Sequence, residues 1–176
     1  MTATAAAVMG GVMNVAAGRT KTAVQLRPGD VAPDFELPAS DGKRYRLSDL
    51  TPTGAVVIAW FPKAFTGGCT RECESLSSYR AALQGFKVRY FGASVDAPET
   101  NREFAESLGA SFPILSDEDK QVAAAYGVLG AAGYAARWTF YIGTDGRILD
   151  IDKNVHASSH GADVARKLAT LGIARL

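Results

Sequence analysis

The sequence predicts an α/β fold, a central mixed sheet flanked by helices. Two runs read as buried strands, Ala55-Val-Val-Ile-Ala-Trp-Phe61 and Val88-Arg-Tyr-Phe-Gly-Ala-Ser-Val95, and each is followed by a segment of helical spacing. Two further strand-like runs, Trp138–Ile142 and Arg147–Ile151, flank the turn signal Thr144-Asp-Gly146, which predicts a hairpin and so an antiparallel pair. The chain has 176 residues, 47% of them hydrophobic, which suits one domain with a sizeable core.

Taken in order, the chain opens on a segment of different composition. Thr2 to Gly18 is rich in Ala, Gly, Met and Val and carries no charged side chain. It is short and weakly apolar beside the about 20 apolar residues that a membrane span requires, so no stable membrane insertion is expected. Val15-Ala16-Ala17 is an acceptable export cleavage site, but the first basic residue, Arg19, follows the apolar stretch instead of preceding it. Residues 1–25 are therefore read as an N-terminal apolar appendage, and residues 26–176 as the domain. A cytoplasmic location is favoured over an exported or envelope-associated one.

Val31 to Pro38 reads as extended, Asp41-Gly42 as a turn and Arg44 to Leu47 as a short strand. Thr51-Pro-Thr-Gly54 is a loop before the first buried strand. One helix is expected from about Cys69 to Leu83, on the spacing of Cys69, Cys73, Leu76, Tyr79 and Leu83. Asp96 is the expected cap of a helix that begins near Pro98 and ends near Leu108-Gly109. Phe112-Pro-Ile-Leu115 is a third strand, Ser116 or Asp117 caps a helix near Gln121–Tyr126, and Gly127 to Gly133 is a loop. After the hairpin, a last helix is expected from Gly161 to Leu171.

Composition excludes some functions. With 19 basic and 18 acidic residues, the formal net charge is +1, and no block of like charge marks a nucleic-acid surface. Two cysteines this close in sequence make no disulfide scaffold and point to local redox chemistry or metal binding.

The chemistry-bearing segment is Pro62-Lys-Ala-Phe-Thr66-Gly-Gly68-Cys69-Thr-Arg-Glu-Cys73. Cys69 falls at a strand-to-helix junction, in the first helical turn. Unpaired backbone N–H groups and the helix dipole favour an anion there, and a thiolate is such an anion. Arg71 would help it, while Glu72 and Glu74 would oppose it. The glycines before Cys69 let backbone N–H groups approach a ligand. Thr66 also suits a helix N-cap.

The pattern Pro62-x-x-x-Thr66-x-x-Cys69 resembles the active-site signature of the peroxiredoxins, closest to the peroxiredoxin Q, or bacterioferritin comigratory protein, branch. The resemblance runs from about Leu26 to Leu176. It takes in Pro28-Gly-Asp-Val-Ala-Pro-Asp-Phe35-Glu-Leu-Pro, Asp41-Gly-Lys, and Arg137-Trp-Thr-Phe-Tyr-Ile-Gly-Thr-Asp-Gly146, which resembles the family's distal arginine on a core strand. It implies a thioredoxin-like fold and a thiol peroxidase acting on hydrogen peroxide or organic hydroperoxides through a sulfenic acid. Cys69 would be the nucleophile, Thr66 and Arg137 would bind peroxide, Pro62 would shape the pocket, and Gly68 would offer a backbone N–H. It further implies a thioredoxin-like reductant, no metal or organic cofactor, and a monomer or weak dimer. Cys73 is the implied resolving thiol, although in that branch the resolving cysteine typically lies five residues after the first; here it lies four. Core packing of Cys73, with resolution between chains, is the competing reading.

A second reading comes from another class. Cys69-x-x-x-Cys73 with a distal histidine also resembles the copper site of Sco-type assembly proteins. There His156 would be the third ligand, with His160 behind it. A thioredoxin-like disulfide reductase is disfavoured by the absence of a C-x-x-C pair.

Overall fold

The computed structural model describes residues 24–176. Apart from Val24 and Gln25, the expected appendage lies outside the described residues. The sheet has five strands in the order β5-β4-β3-β6-β7. At its centre is β3 (Ala55–Trp60), parallel to β4 (Val88–Ser94) and antiparallel to β6 (Thr139–Ile142). Outside these lie β5 (Ile114–Ser116), parallel to β4, and β7 (Ile148–Asp152), antiparallel to β6. A small antiparallel ribbon, β1 (Glu36–Pro38) with β2 (Arg44–Arg46), stands apart. The expected mixed sheet is what forms.

The wholly apolar sequence of β3 follows from its position, because both of its faces are covered. Val56, Ile58 and Trp60 join a core with Phe35, Leu37, α1 (Leu47–Leu50) and α5 (Gln121–Ala125). Val57, Ala59 and Phe61 join a second core on the other face. That core holds residues of α2 (Gly67–Ser78), α3 (Arg80–Gln84), α4 (Pro98–Leu108) and α6 (His160–Thr170). Both cysteines belong to this second core.

The single helix expected over Cys69–Leu83 is two, α2 and α3, because Tyr79 leaves the helical path at φ −93°, ψ 10°. The start of α6 crosses there. A Cβ on Gly161 would come 2.2 Å from the Ser75 carbonyl oxygen and 2.9 Å from Tyr79 Cβ, so only glycine fits this crossing. The Gly161 N–H donates to Ser75 Oγ at 3.0 Å and ties the two helices together.

Caps differ in detail. Asp96 does not cap α4, whose N-cap position is Ala97; the Asp96 carboxylate accepts the Ala64 N–H at 2.9 Å and so ties the segment after β3 to the end of β4. Asp117 does serve α5, accepting the N–H groups of Val122 at 3.3 Å and Ala123 at 2.6 Å. Among the described residues no helix is long and apolar enough to cross a membrane.

Candidate active site

After β3 the chain runs from Phe61 to Thr66 and enters α2, with Cys69 in the first turn as expected. Phe65 has φ 61°, a left-handed conformation that costs an L-residue about 1–2 kcal/mol. Its exposed ring rests on Phe104, centroids 5.1 Å apart. Thr66 occupies the N-cap position in an extended conformation, and its carbonyl accepts the Thr70 N–H at 2.9 Å. Its hydroxyl does not cap the helix; it donates to the Lys63 carbonyl at 2.9 Å. The first N–H groups of α2 thus have no partner inside the helix and lie beside Cys69.

The structure brings Arg137 to this point, although not from within a strand. It lies in the bend just before β6. The Trp60 N–H donates to the Trp138 carbonyl at 2.9 Å, which fixes that bend against the end of β3. From there Arg137 Nη2 donates to Cys69 Sγ at 3.3 Å. A Cβ on Gly68 would lie 3.0 Å from the same Nη2, so the residue before Cys69 leaves room for the guanidinium. Pro62 is half-buried at the start of the loop.

Behind Arg137 lies a polar group that the sequence reading missed. Arg137 Nη1 donates to Glu72 Oε2. Glu72 Oε1 lies 3.0 Å from His160 Nδ1, off the line of a good N–H···O bond, and both side chains are 1% exposed. His160 Nε2 lies 2.8 Å from Thr139 Oγ1. Glu72 therefore does not oppose a thiolate as an unpaired charge; Arg137 neutralises it. Arg71 is exposed. One signal was available: Cys69, Glu72, Cys73 and Leu76 share a helix face, and a carboxylate on a buried stripe requires a partner.

The two cysteines have contrasting surroundings. Both are free and 1% exposed. Burial pulls the Arg137 pKa down, but Glu72 and then Cys69 outweigh it and hold the guanidinium above its ordinary value, so Arg137 remains a cation facing the Cys69 sulfur. The Cys73 thiol is pushed well up by burial first and then by the charges of Glu72 and Cys69, so in this conformation it stays protonated. The arrangement suits a nucleophilic sulfur at Cys69 and a silent thiol one turn on.

The copper reading finds no support. His156 is exposed in its loop, and His160 is committed to Glu72 and Thr139. Among the described residues no three His, Cys, Asp or Glu side chains form a group that could hold a metal ion.

Comparison with known proteins shows the family of the chain. Residues 28–151 match the model of the AhpC/TSA family. Peroxiredoxin Bcp of Escherichia coli strain K12 is 35% identical over 142 residues, covering 77% of this chain and 90% of that protein. The crystal structure of peroxidoxin BcpB from Mycobacterium tuberculosis superposes with a TM-score of 0.75 at 36% identity, covering 84% of this chain and 97% of that one. A PrxQ mutant of Xylella fastidiosa shares the fold, with a TM-score of 0.78 at 24% identity, covering 85% of this chain and 99% of that one. The chain belongs to the AhpC/TSA family of thioredoxin-fold proteins, among the peroxiredoxins of the Bcp type. It is a thiol-dependent peroxidase.

Proposed function

We propose that Cys69 is the peroxidatic residue and that Arg137 and Thr66 bind the hydroperoxide. The observation that carries this is the guanidinium of Arg137 held 3.3 Å from Cys69 Sγ at the N-terminus of a helix. The sulfur attacks one peroxide oxygen, the O–O bond breaks, the sulfur becomes a sulfenic acid, and the other oxygen leaves as water or alcohol after taking a proton. Arg137 offsets the negative charge that moves from sulfur to the leaving oxygen. The Thr66 hydroxyl keeps its acceptor lone pairs while bonded to Lys63, and the N–H groups of Gly68 and Cys69 are further donors. Pro62 walls the pocket.

Cys73 is the proposed resolving thiol. It attacks the sulfenic sulfur, a disulfide forms and water leaves. A thioredoxin-like dithiol then returns both cysteines to thiols and is itself oxidised. Hydrogen peroxide and organic hydroperoxides are the substrate class. A monomer or weak dimer in the cytoplasm, where such dithiols keep thiols reduced, fits this cycle.

Stopped-flow reduction of hydrogen peroxide by the reduced protein, followed by mass analysis, tests the assignment. Cys69→Ser should abolish the reaction. Cys73→Ser should complete one turnover and stop as a sulfenic acid at Cys69. Equal single-turnover rates for the parent and Cys69→Ser would overturn it.

A further inference from the structure

We infer that His160 is a positioning residue for peroxide reduction: it holds Glu72 so that Glu72 sets the guanidinium of Arg137 on the Cys69 sulfur. This rests on the role proposed above for Arg137.

The geometry is a closed circuit. Arg137 has one end of its guanidinium on Glu72 and the other on the Cys69 sulfur, so the pose at the sulfur follows the pose of the carboxylate. Glu72 presents its other oxygen to His160 Nδ1 at 3.0 Å. A carboxylate with one partner can swivel about its Cγ–Cδ bond; partners on opposite oxygens fix its plane. His160 is held from its far side by Thr139 Oγ1 at 2.8 Å. Thr139, the first residue of β6, follows Arg137 by two positions, just past the bend that carries it. The circuit therefore returns to the segment it started from, and passes through α2, α6 and the start of β6.

The two ring nitrogens have separate neighbours, Nδ1 the Glu72 carboxylate and Nε2 the Thr139 hydroxyl. A proton on Nδ1 suits the carboxylate oxygen facing it, since a bare lone pair there would repel that oxygen. The approach of Nδ1 to Oε1 lies off the N–H line, so the ring acts on Glu72 as a positive edge more than through a linear hydrogen bond.

The test is a double-mutant cycle on the full chain, reading the second-order rate constant for hydrogen peroxide in a single turnover, with thermal midpoints alongside. His160→Leu should slow the peroxide step about tenfold, the scale of one lost polar contact in the transition state. His160→Asn, which keeps an N–H near the Nδ1 position, should recover most of that loss. In an Arg137→Ala background neither substitution should slow the reaction further, because His160 acts only through Arg137. A merely structural histidine would lower the thermal midpoint and slow both backgrounds by the same factor, and that result overturns the inference. So does an unchanged rate in a folded His160→Leu protein. If His160→Leu fails to fold, Thr139→Val, of the same shape, decides: about a threefold fall, a fraction of one contact's worth, is expected with Arg137 present and none without it. No fall with Arg137 present overturns the inference. Should Arg137→Ala itself leave the rate unchanged, the site assignment fails and the inference with it. A slow Arg137→Ala beside His160 and Thr139 variants of parental rate removes the inference alone.

Discussion

At position 68 the side chain of any residue but glycine would meet the guanidinium that faces Cys69. The would-be Cβ sits 3.0 Å from Arg137 Nη2 and touches nothing else closely. The guanidinium must then shift by a few tenths of an ångström from the position in which it faces the sulfur. Replacing glycine by alanine inside a helix also favours the helix by up to about 1 kcal/mol. Gly68→Ala should therefore hold or raise the thermal midpoint while slowing peroxide reduction by about three- to tenfold, the scale of a weakened hydrogen bond to a charged group. A slower enzyme with a lower midpoint would instead mark Gly68 as a folding residue. At this scale the sequence was partly legible. Cys69 and Arg137 are found together, and Cys69 was read from its helix-end position. Glu72 was misread because a charged residue is ordinarily solvated, and only its place on the Cys69–Cys73–Leu76 stripe marks it as buried. His160 carried no local signal: its partners lie on α2 and β6, far away in sequence.

At the scale of the element, α2 must change shape for Cys73 to reach Cys69. Residues four apart on a helix have Cβ atoms about 5–6 Å apart, whereas a disulfide places them about 3.5–4.5 Å apart. Cys73 is also buried and protonated while the helix is intact. Opening the first turns brings the sulfurs within reach and frees the Cys73 thiol to ionise near its ordinary value of about 8.5. Glu72 lies between the cysteines, so the same opening withdraws it from Arg137 and His160. Two consequences are measurable. Amide exchange over residues 67–74 should be faster in the disulfide form than in the reduced form. Disulfide formation should speed up in about 1 M urea, which favours opened states, while the preceding peroxide step, which needs the intact site, does not. A disulfide-linked dimer as the oxidised product would show that resolution passes between chains.

For the whole molecule, the buried thiol makes stability depend on alkaline pH. An unfolded cysteine ionises at about 8.5. Burial, with the charges of Glu72 and Cys69, raises the folded Cys73 far above that. Below the unfolded value both states hold the proton and the contribution is complete. Above it the unfolded chain holds fewer protons, so stability falls as pH rises, by up to about 1.4 kcal/mol per pH unit. Tyr126 and Tyr141, pushed up chiefly by burial, add the same slope past about pH 10. Urea midpoints of Cys69→Ser should therefore fall over about the first pH unit above the unfolded thiol value of about 8.5. Cys69→Ser with Cys73→Ala should stay nearly flat over the same range. Parallel slopes would refute the assignment. The strands of this molecule were legible where their signal is local, in the apolar runs of β3 and β4 and the glycine turn between β6 and β7. The break at Tyr79 was not, because what packs against it is Gly161 on another helix, distant in sequence. Nor is the strand order written in any periodicity; it follows from pairings between distant segments, and the family resemblance supplied only the fold class.

The Gly161–Ser75 crossing has a further consequence for the catalytic cycle. It clamps α2 just past Cys73, so a segment that opened for the proposed disulfide would have a fixed end at Ser75. A helix that forms from coil must first make a costly nucleus, with a statistical weight of about 10⁻³. A helix that regrows from a surviving stub adds residues by propagation alone, on the order of nanoseconds each. On the resolution proposed for Cys73, the clamp would be the seed from which the peroxide site is rebuilt once the disulfide is reduced, with no new nucleus to form.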